Sequence, residues 1–147
     1  MRKRTTRRRK LRQRGGSLNV NLQITPVKNV YKKSEFETSG TPVVTWEPKS
    51  RYYTLLCVDP DSSEPAWLHW LVVNCKGEDP STGMTLTPWE PPTPPTGTHR
   101  YFFNLYSHEA PLAIDAPGSR STFDTDRFVS ENGLKLAEQF SIRVKAI

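Results

Sequence analysis

Tyr52-Tyr53-Thr54-Leu55-Leu56-Cys57-Val58-Asp59-Pro60-Asp61, followed after a short loop by Trp67-Leu68-His69-Trp70-Leu71-Val72-Val73-Asn74-Cys75, decides how this chain folds. Residues 52–58 are rich in aromatic and aliphatic side chains and stop at an Asp-Pro-Asp turn, which reads as a strand with a defined end. Residues 69–75 are almost continuously apolar, as expected of a strand covered on both faces.

Upstream, residues 19–25 alternate polar and apolar, with Val20, Leu22 and Ile24 on one side, and Pro26 ends the pattern. Val43 to Trp46 reads as another short strand. Downstream, Lys76-Gly77-Glu78-Asp79-Pro80 turns the chain. Pro88, Pro91, Pro92, Pro94 and Pro95 make residues 87–98 an extended loop, because a proline cannot donate to a sheet ladder. Arg100 to Tyr106 returns as a strand. Phe123 to Asn132 predicts one short helix, capped by Asp124 or Thr125, with Phe128 and Val129 inward and Asn132-Gly133 as its stop. Phe140, Ile142, Val144 and Ala146 then alternate as a last strand. With no internal repeat, heptad or long amphipathic helix, the expected fold is mainly β: a β-sandwich with one or two short helices.

The 147 residues suit one domain. The net charge of +6 is unevenly spread: residues 1–14 hold nine basic side chains and no acid, and the rest carries twelve basic against fifteen acidic groups. The basicity therefore belongs to a tail. Residues 1–17 offer no apolar face and are expected to be disordered, with residues 18–147 forming the domain. Cys57 and Cys75 lie inside apolar runs and read as buried free thiols in a reducing compartment. There is no run of about 18 apolar residues for a spanning helix, and the Arg-rich start lacks the apolar stretch of a secretory signal. The expected location is intracellular, cytoplasmic or nuclear.

Polar groups recur at the strand ends: Asp59 and Asp61 after one strand, His69 at the start of the next, His99 and Tyr101 at the start of another. If the His99 strand runs in the same sense as the His69 strand, both imidazoles share one rim and form a shallow cup. Taken singly, Asp-Pro-Asp is a common turn and a histidine at a strand start is usually solvated. His108, beside Glu109 and Pro111, is expected to be a solvated loop residue.

Together, Asp59-Pro60-Asp61, Trp67-Leu68-His69-Trp70-Leu71-Val72-Val73-Asn74, Gly77 and Gly97-Thr98-His99-Arg100-Tyr101 resemble the two signature regions of the phosphatidylethanolamine-binding protein (PEBP) family. Weaker similarity runs from about Leu18 through residues 42–46 to residues 123–128. The resemblance implies a β-sandwich with a pocket at one end for phosphate, acetate or a phosphorylated head group, and a role in modulating signalling partners without catalysis. By motif position, the pocket would comprise Asp59, Asp61, Trp67, His69, His99 and Tyr101, with Pro95 and Gly97 shaping the loop beside it. The segment from Asp61 to Trp67 is shorter than in typical members, with Ser62, Ser63, Glu64 and Pro65 in place of the residues expected there. The sequence ends at the strand of residues 140–147, without the terminal helix that flanks the pocket in animal members, so a more open pocket is expected.

Two aspartates should repel an anion, since unit charges 4 Å apart interact by about 4 kcal/mol at an effective dielectric of 20. The expected remedy is a protonated His69 or His99 donating to phosphate oxygens while the aspartates orient the rings or cap backbone N–H groups. A head group carrying an ammonium would satisfy both signs. Ser62 and Ser63 near Asp and His invite a hydrolase reading, but neither a Gly-x-Ser-x-Gly elbow nor an oxyanion hole is evident. No catalytic residue, metal site or cofactor is assigned.

The tail, residues 2–14, is a candidate for salt-sensitive contact with nucleic acid, an anionic membrane or an acidic partner, without base-specific reading. An Arg-Lys-rich start ending in Arg-Gly-Gly also resembles the N-termini of proteins from large DNA viruses. That resemblance gives a second reading, a structural or virion protein anchored by its tail. Trp89 and the proline loop read as internal packing, with a contact surface for an unknown protein partner as the other use.

Overall fold

Alternation along the central strands builds two apolar layers. The computed structural model describes residues 16–62 and 64–147. Its strands are β1 (Asn19–Asn21), β2 (Val30–Lys32), β3 (Val43–Thr45), β4 (Tyr52–Asp59), β5 (Trp67–Cys75), β6 (Met84–Thr87), β7 (Thr98–His108) and β8 (Lys135–Lys145), with one α-helix, α1 (Thr125–Glu131), before β8. A six-stranded sheet has the order β2-β8-β7-β4-β5-β6, and β1 and β3 form a separate antiparallel pair. Tyr53, Leu55 and Cys57 of β4 point into a core shared with Leu18, Leu22, Val44 and Trp46 from the β1–β3 side. Leu56 and Val58 point the other way, into a core closed by Phe123 and Leu134, with Phe128 and Val129 of α1 packed against it. The mainly β sandwich expected from the sequence is the fold observed.

β4 pairs antiparallel with β5 on one side and with β7 on the other. β5 and β7 therefore run in the same sense, and both start where β4 ends. Asp59 pairs with Trp67, and Val58 with both Leu68 and Phe102, so one rim of the sheet collects the ends of all three strands.

α1 starts as expected: Asp124 is the cap, and its side chain accepts a hydrogen bond from Arg127 N at 3.1 Å. Gly133, with φ +61°, follows its end in the left-handed region that favours glycine. The first strand is shorter than the alternation of residues 19–25 implied. Asn21 Oδ1 accepts from Gln23 N at 2.8 Å, and Gln23 turns to φ +64°, which ends the ladder. Leu22 is nevertheless buried, and Val20 and Ile24 pack on the same core, so the alternation placed the face correctly. β2 and β6 have three and four residues, too few for a periodic signal. No helix among the described residues is long and apolar enough to cross a membrane. The basic tail expected over residues 1–17 lies, up to residue 15, outside the described residues, and so do its nucleic-acid and membrane contacts.

Candidate functional site

At the shared rim Asp59 is 1% exposed, and its carboxylate is held by protein donors. Oδ2 accepts from His99 Nδ1 at 2.7 Å, and Oδ1 accepts from Asp61 N at 2.8 Å, closing the Asp-Pro-Asp turn. Asp61 turns outward: Arg100 gives it a fork of Nε to Oδ2 at 2.9 Å and NH2 to Oδ1 at 2.8 Å, plus its backbone N–H at 2.8 Å. That fork holds the Asp61 carboxyl below its ordinary range. All four carboxylate oxygens thus accept from the protein, and the Arg100 guanidinium offsets the Asp61 charge.

His69 is buried at the start of β5. Its Nδ1 lies 2.6 Å from the Glu90 carbonyl oxygen, which can only accept, so Nδ1 carries the proton and donates. Burial lowers the His69 pKa, favouring the neutral ring, whose Nε2 is then an acceptor. Of the two histidines expected as the imidazolium, His69 or His99, the charged form is therefore disfavoured at His69. Glu90 also anchors Trp67, whose Nε1 donates to its Oε1 at 3.1 Å. Arg120 was not singled out in the sequence. Its guanidinium donates to the carbonyls of Leu68, His69 and Pro88, tying β5 to the proline loop. A lone arginine in a Ser-rich loop carries no pattern that announces such a clamp.

Tyr101 stacks on His99 with centroids 6.5 Å apart and meets His69 edge-on at 5.1 Å. Burial, then the negative charge of Asp59 and hydrogen bonding to it, push its phenol pKa up, so the hydroxyl keeps its proton and is a donor facing Asp59. A cavity of about 160 Å³ opens here, lined by Asp59, Ser62, Trp67, His69, Thr93, Pro94 and Tyr101. Of the residues named from the sequence, Asp59, Trp67, His69 and Tyr101 line it. His99 stands behind Asp59, and Asp61 faces Arg100. Pro95 is exposed, and the wall belongs to its neighbour Pro94, which is buried. Gly97 shapes the approach to β7 with φ +66°, and its carbonyl accepts from Ala146 N at 2.9 Å.

His108 departs from its expected solvated state. It ends β7 buried, with Nε2 2.9 Å from Thr54 Oγ1 and Nδ1 2.8 Å from the Ala110 carbonyl, stacked on Tyr52. The strand runs farther than Tyr106 and carries the ring inside. Cys57 and Cys75 are free, buried thiols; burial pushes Cys57 well up and Cys75 to about 12. Trp89 packs inward between Trp70 and Phe103. No cluster of three or more His, Cys, Asp or Glu suited to a metal exists among the described residues.

The chain is 42% identical over 91 residues to the "26 kDa secreted antigen" of Toxocara canis, covering 55% of this chain and 34% of that one. It is 36% identical over 89 residues to "CEN-like protein 1" of Nicotiana tabacum, covering 56% and 51%. The alignments thus span about half or less of these relatives. A carboxypeptidase Y inhibitor, solved with its cognate proteinase, superposes with TM-score 0.74 at 18% identity, over 90% of this chain and 84% of that one. The phosphatidylethanolamine-binding protein of Plasmodium vivax gives TM-score 0.65 at 20% identity, over 88% and 86%. The named sources are eukaryotic and lend the virion reading no support. The family model described as "Phosphatidylethanolamine-binding protein" matches residues 13–139. Carrying that match across most of its length, with the Asp59, His69, His99 and Tyr101 motifs gathered at one rim of its sheet, the chain belongs to the phosphatidylethanolamine-binding protein family.

Proposed function

We propose that the protein is a non-enzymatic regulator whose rim cavity takes phosphate or a phosphorylated head group and, through that rim, modulates a protein partner. The observation that carries this reading is the division of bonding capacity at the rim. Every carboxylate oxygen of Asp59 and Asp61 already has a protein donor, while Tyr101, whose hydroxyl faces Asp59, and His69, whose Nε2 has no hydrogen bond among the described residues, line the cavity. A phosphate monoanion fits this set, because its P–OH can donate to His69 Nε2 and another of its oxygens can take the Tyr101 hydroxyl proton over from Asp59, both of whose oxygens keep other donors. Among the described residues no hydroxyl is hydrogen-bonded to His69 or His99, which supports a binding role over nucleophilic catalysis. The partner-directed role draws on the structural neighbour solved with a proteinase. Two buried free thiols support a reducing intracellular location.

Calorimetric titration of the full chain with inorganic phosphate and O-phosphorylethanolamine tests the reading. Saturable binding is expected, weakened about tenfold in Tyr101→Phe by loss of one hydrogen bond to a charged group. Affinity should rise as pH falls from 8 to 6, because the phosphate monoester, with a second pKa of about 6, gains the P–OH proton, and inorganic phosphate gains it at somewhat higher pH. Absence of binding by the folded chain, or an unchanged affinity in Tyr101→Phe, would contradict it.

A further inference from the structure

The opposite face of the same strand ends holds a second cavity, of about 270 Å³, between β4, β7, β8 and the first turn of α1. Strand alternation sets the two cavities back to back: Asp59 and Tyr101 line the first, Val58 and Phe102 the second. The connection between β4 and β5 serves both, with Ser62 on one side and Pro60, Pro65 and Ala66 on the other. Val58, Pro60, Pro65, Ala66 and Phe102 make an apolar floor, on which an apolar ligand would leave water favourably.

The polar atoms decide the sign of the ligand. Asn104 is buried and engaged: Nδ2 donates to the Tyr106 hydroxyl at 3.0 Å, and Oδ1 accepts from Gln139 Nε2 at 2.7 Å. Gln139 Oε1 is left over. Asp124 uses Oδ1 to cap α1, and its Oδ2 has no hydrogen bond among the described residues. Asp126 has no hydrogen bond or ion pair among the described residues, since the adjacent Arg127 turns to Glu131 at 2.8 Å. No lysine or arginine among the described residues lines the cavity. Gln139 Oε1, Asp124 Oδ2 and the Asp126 carboxylate are therefore open acceptors around an apolar floor, two of them on negatively charged groups. The phosphate cavity has the reverse arrangement, with its carboxylate oxygens already engaged.

We propose that this cavity is a second binding site, for a small apolar molecule that ends in a protonated primary amine. An ammonium has three N–H donors and no acceptor, matching the three open acceptor groups. The Phe102 ring, with the Arg100 guanidinium 5.6 Å from its centre, serves as a wall for the apolar body of the ligand, and the ammonium belongs at the Asp126 side. The site stands independently of phosphate binding.

The test uses 2-phenylethylammonium and its neutral isostere 2-phenylethanol, each titrated at pH 7 into the ¹⁵N-labelled full chain and into Asp126→Asn and Gln139→Trp. Asp126 and Gln139 are exposed, so both variants are expected to fold, which the amide spectrum reads directly. The amine should bind saturably, with shifts at Val58, Ala66, Phe102 and Gln139, and more tightly than the alcohol. Asp126→Asn should weaken the amine about threefold to fivefold and leave the alcohol unchanged, the size expected of one exposed charge pair. Gln139→Trp should fill the cavity and block both. Amine and alcohol binding equally, binding that survives Gln139→Trp, shifts at other residues, or no saturation would overturn the proposal.

Discussion

His99 and His108 stand at opposite ends of β7, each on the sheet and each buried, at 9% and 7% exposure, yet they do different things. His108 has a partner on both ring nitrogens, Thr54 and Ala110, and a tyrosine stacked on its face. His99 has one partner, the Asp59 carboxylate, and its Nε2 has no hydrogen bond among the described residues. Burial of a polar side chain therefore does not mark a site, because structural histidines are buried too. What separates the two ends is bonding capacity left over, and it lies at the rim where β4 ends and β5 and β7 begin.

The largest effect should come from Asp59→Ala. It strands His99 and opens the Asp-Pro-Asp turn, removing two hydrogen bonds to a charged group that are worth about 1.5–3 kcal/mol each. Urea unfolding measures that loss, and phosphate binding should vanish with it. His108→Ala should sharpen the comparison from the other end. It leaves the buried Thr54 hydroxyl and the Ala110 carbonyl without their partner, at about 1–3 kcal/mol of stability, while phosphate affinity stays at the wild-type value. A change in affinity there would erase the distinction between the two ends.

How far the sequence reaches is visible in these same residues. Residues 52–58 and 69–75 specify the central strands, because continuous apolar runs between turn residues have few other uses. Asp59, His69 and Tyr101 are legible because their strand ends carry the family's motifs. Pro94 was missed for Pro95 because which proline turns inward depends on the conformation of a loop with no period. His108 was misread because Glu109 and Pro111 suggest a loop, and the pairing of Tyr52 with His108 that draws it inside is long-range. Arg120 acts through three backbone carbonyls, a contact set that leaves no trace in local sequence.

A smaller effect should follow pH. Burial holds the His69 pKa below its ordinary value of 6.5, so the unfolded chain takes up the proton first. Stability is complete above about pH 6.5 and declines as pH falls from there through the folded-state value. Denaturation at pH 7.5 and 5.5 should show the decline in wild type and a shallower one in His69→Gln. The smallest effect belongs to Arg100→Ala. Its fork with Asp61 is exposed, so the melting temperature should barely move, while the Asp61 carboxyl returns toward its ordinary pKa of 3.8 in an NMR titration.

The most direct test of the central claim is a phosphate titration of the ¹⁵N-labelled full chain followed residue by residue. Saturating shifts are expected at Asp59, Ser62, His69 and Tyr101, with Thr54, Ser107 and His108 unmoved. Shifts absent at the rim, or concentrated around Lys49, Ser107 and Lys135 at the far end of the sheet, would contradict it.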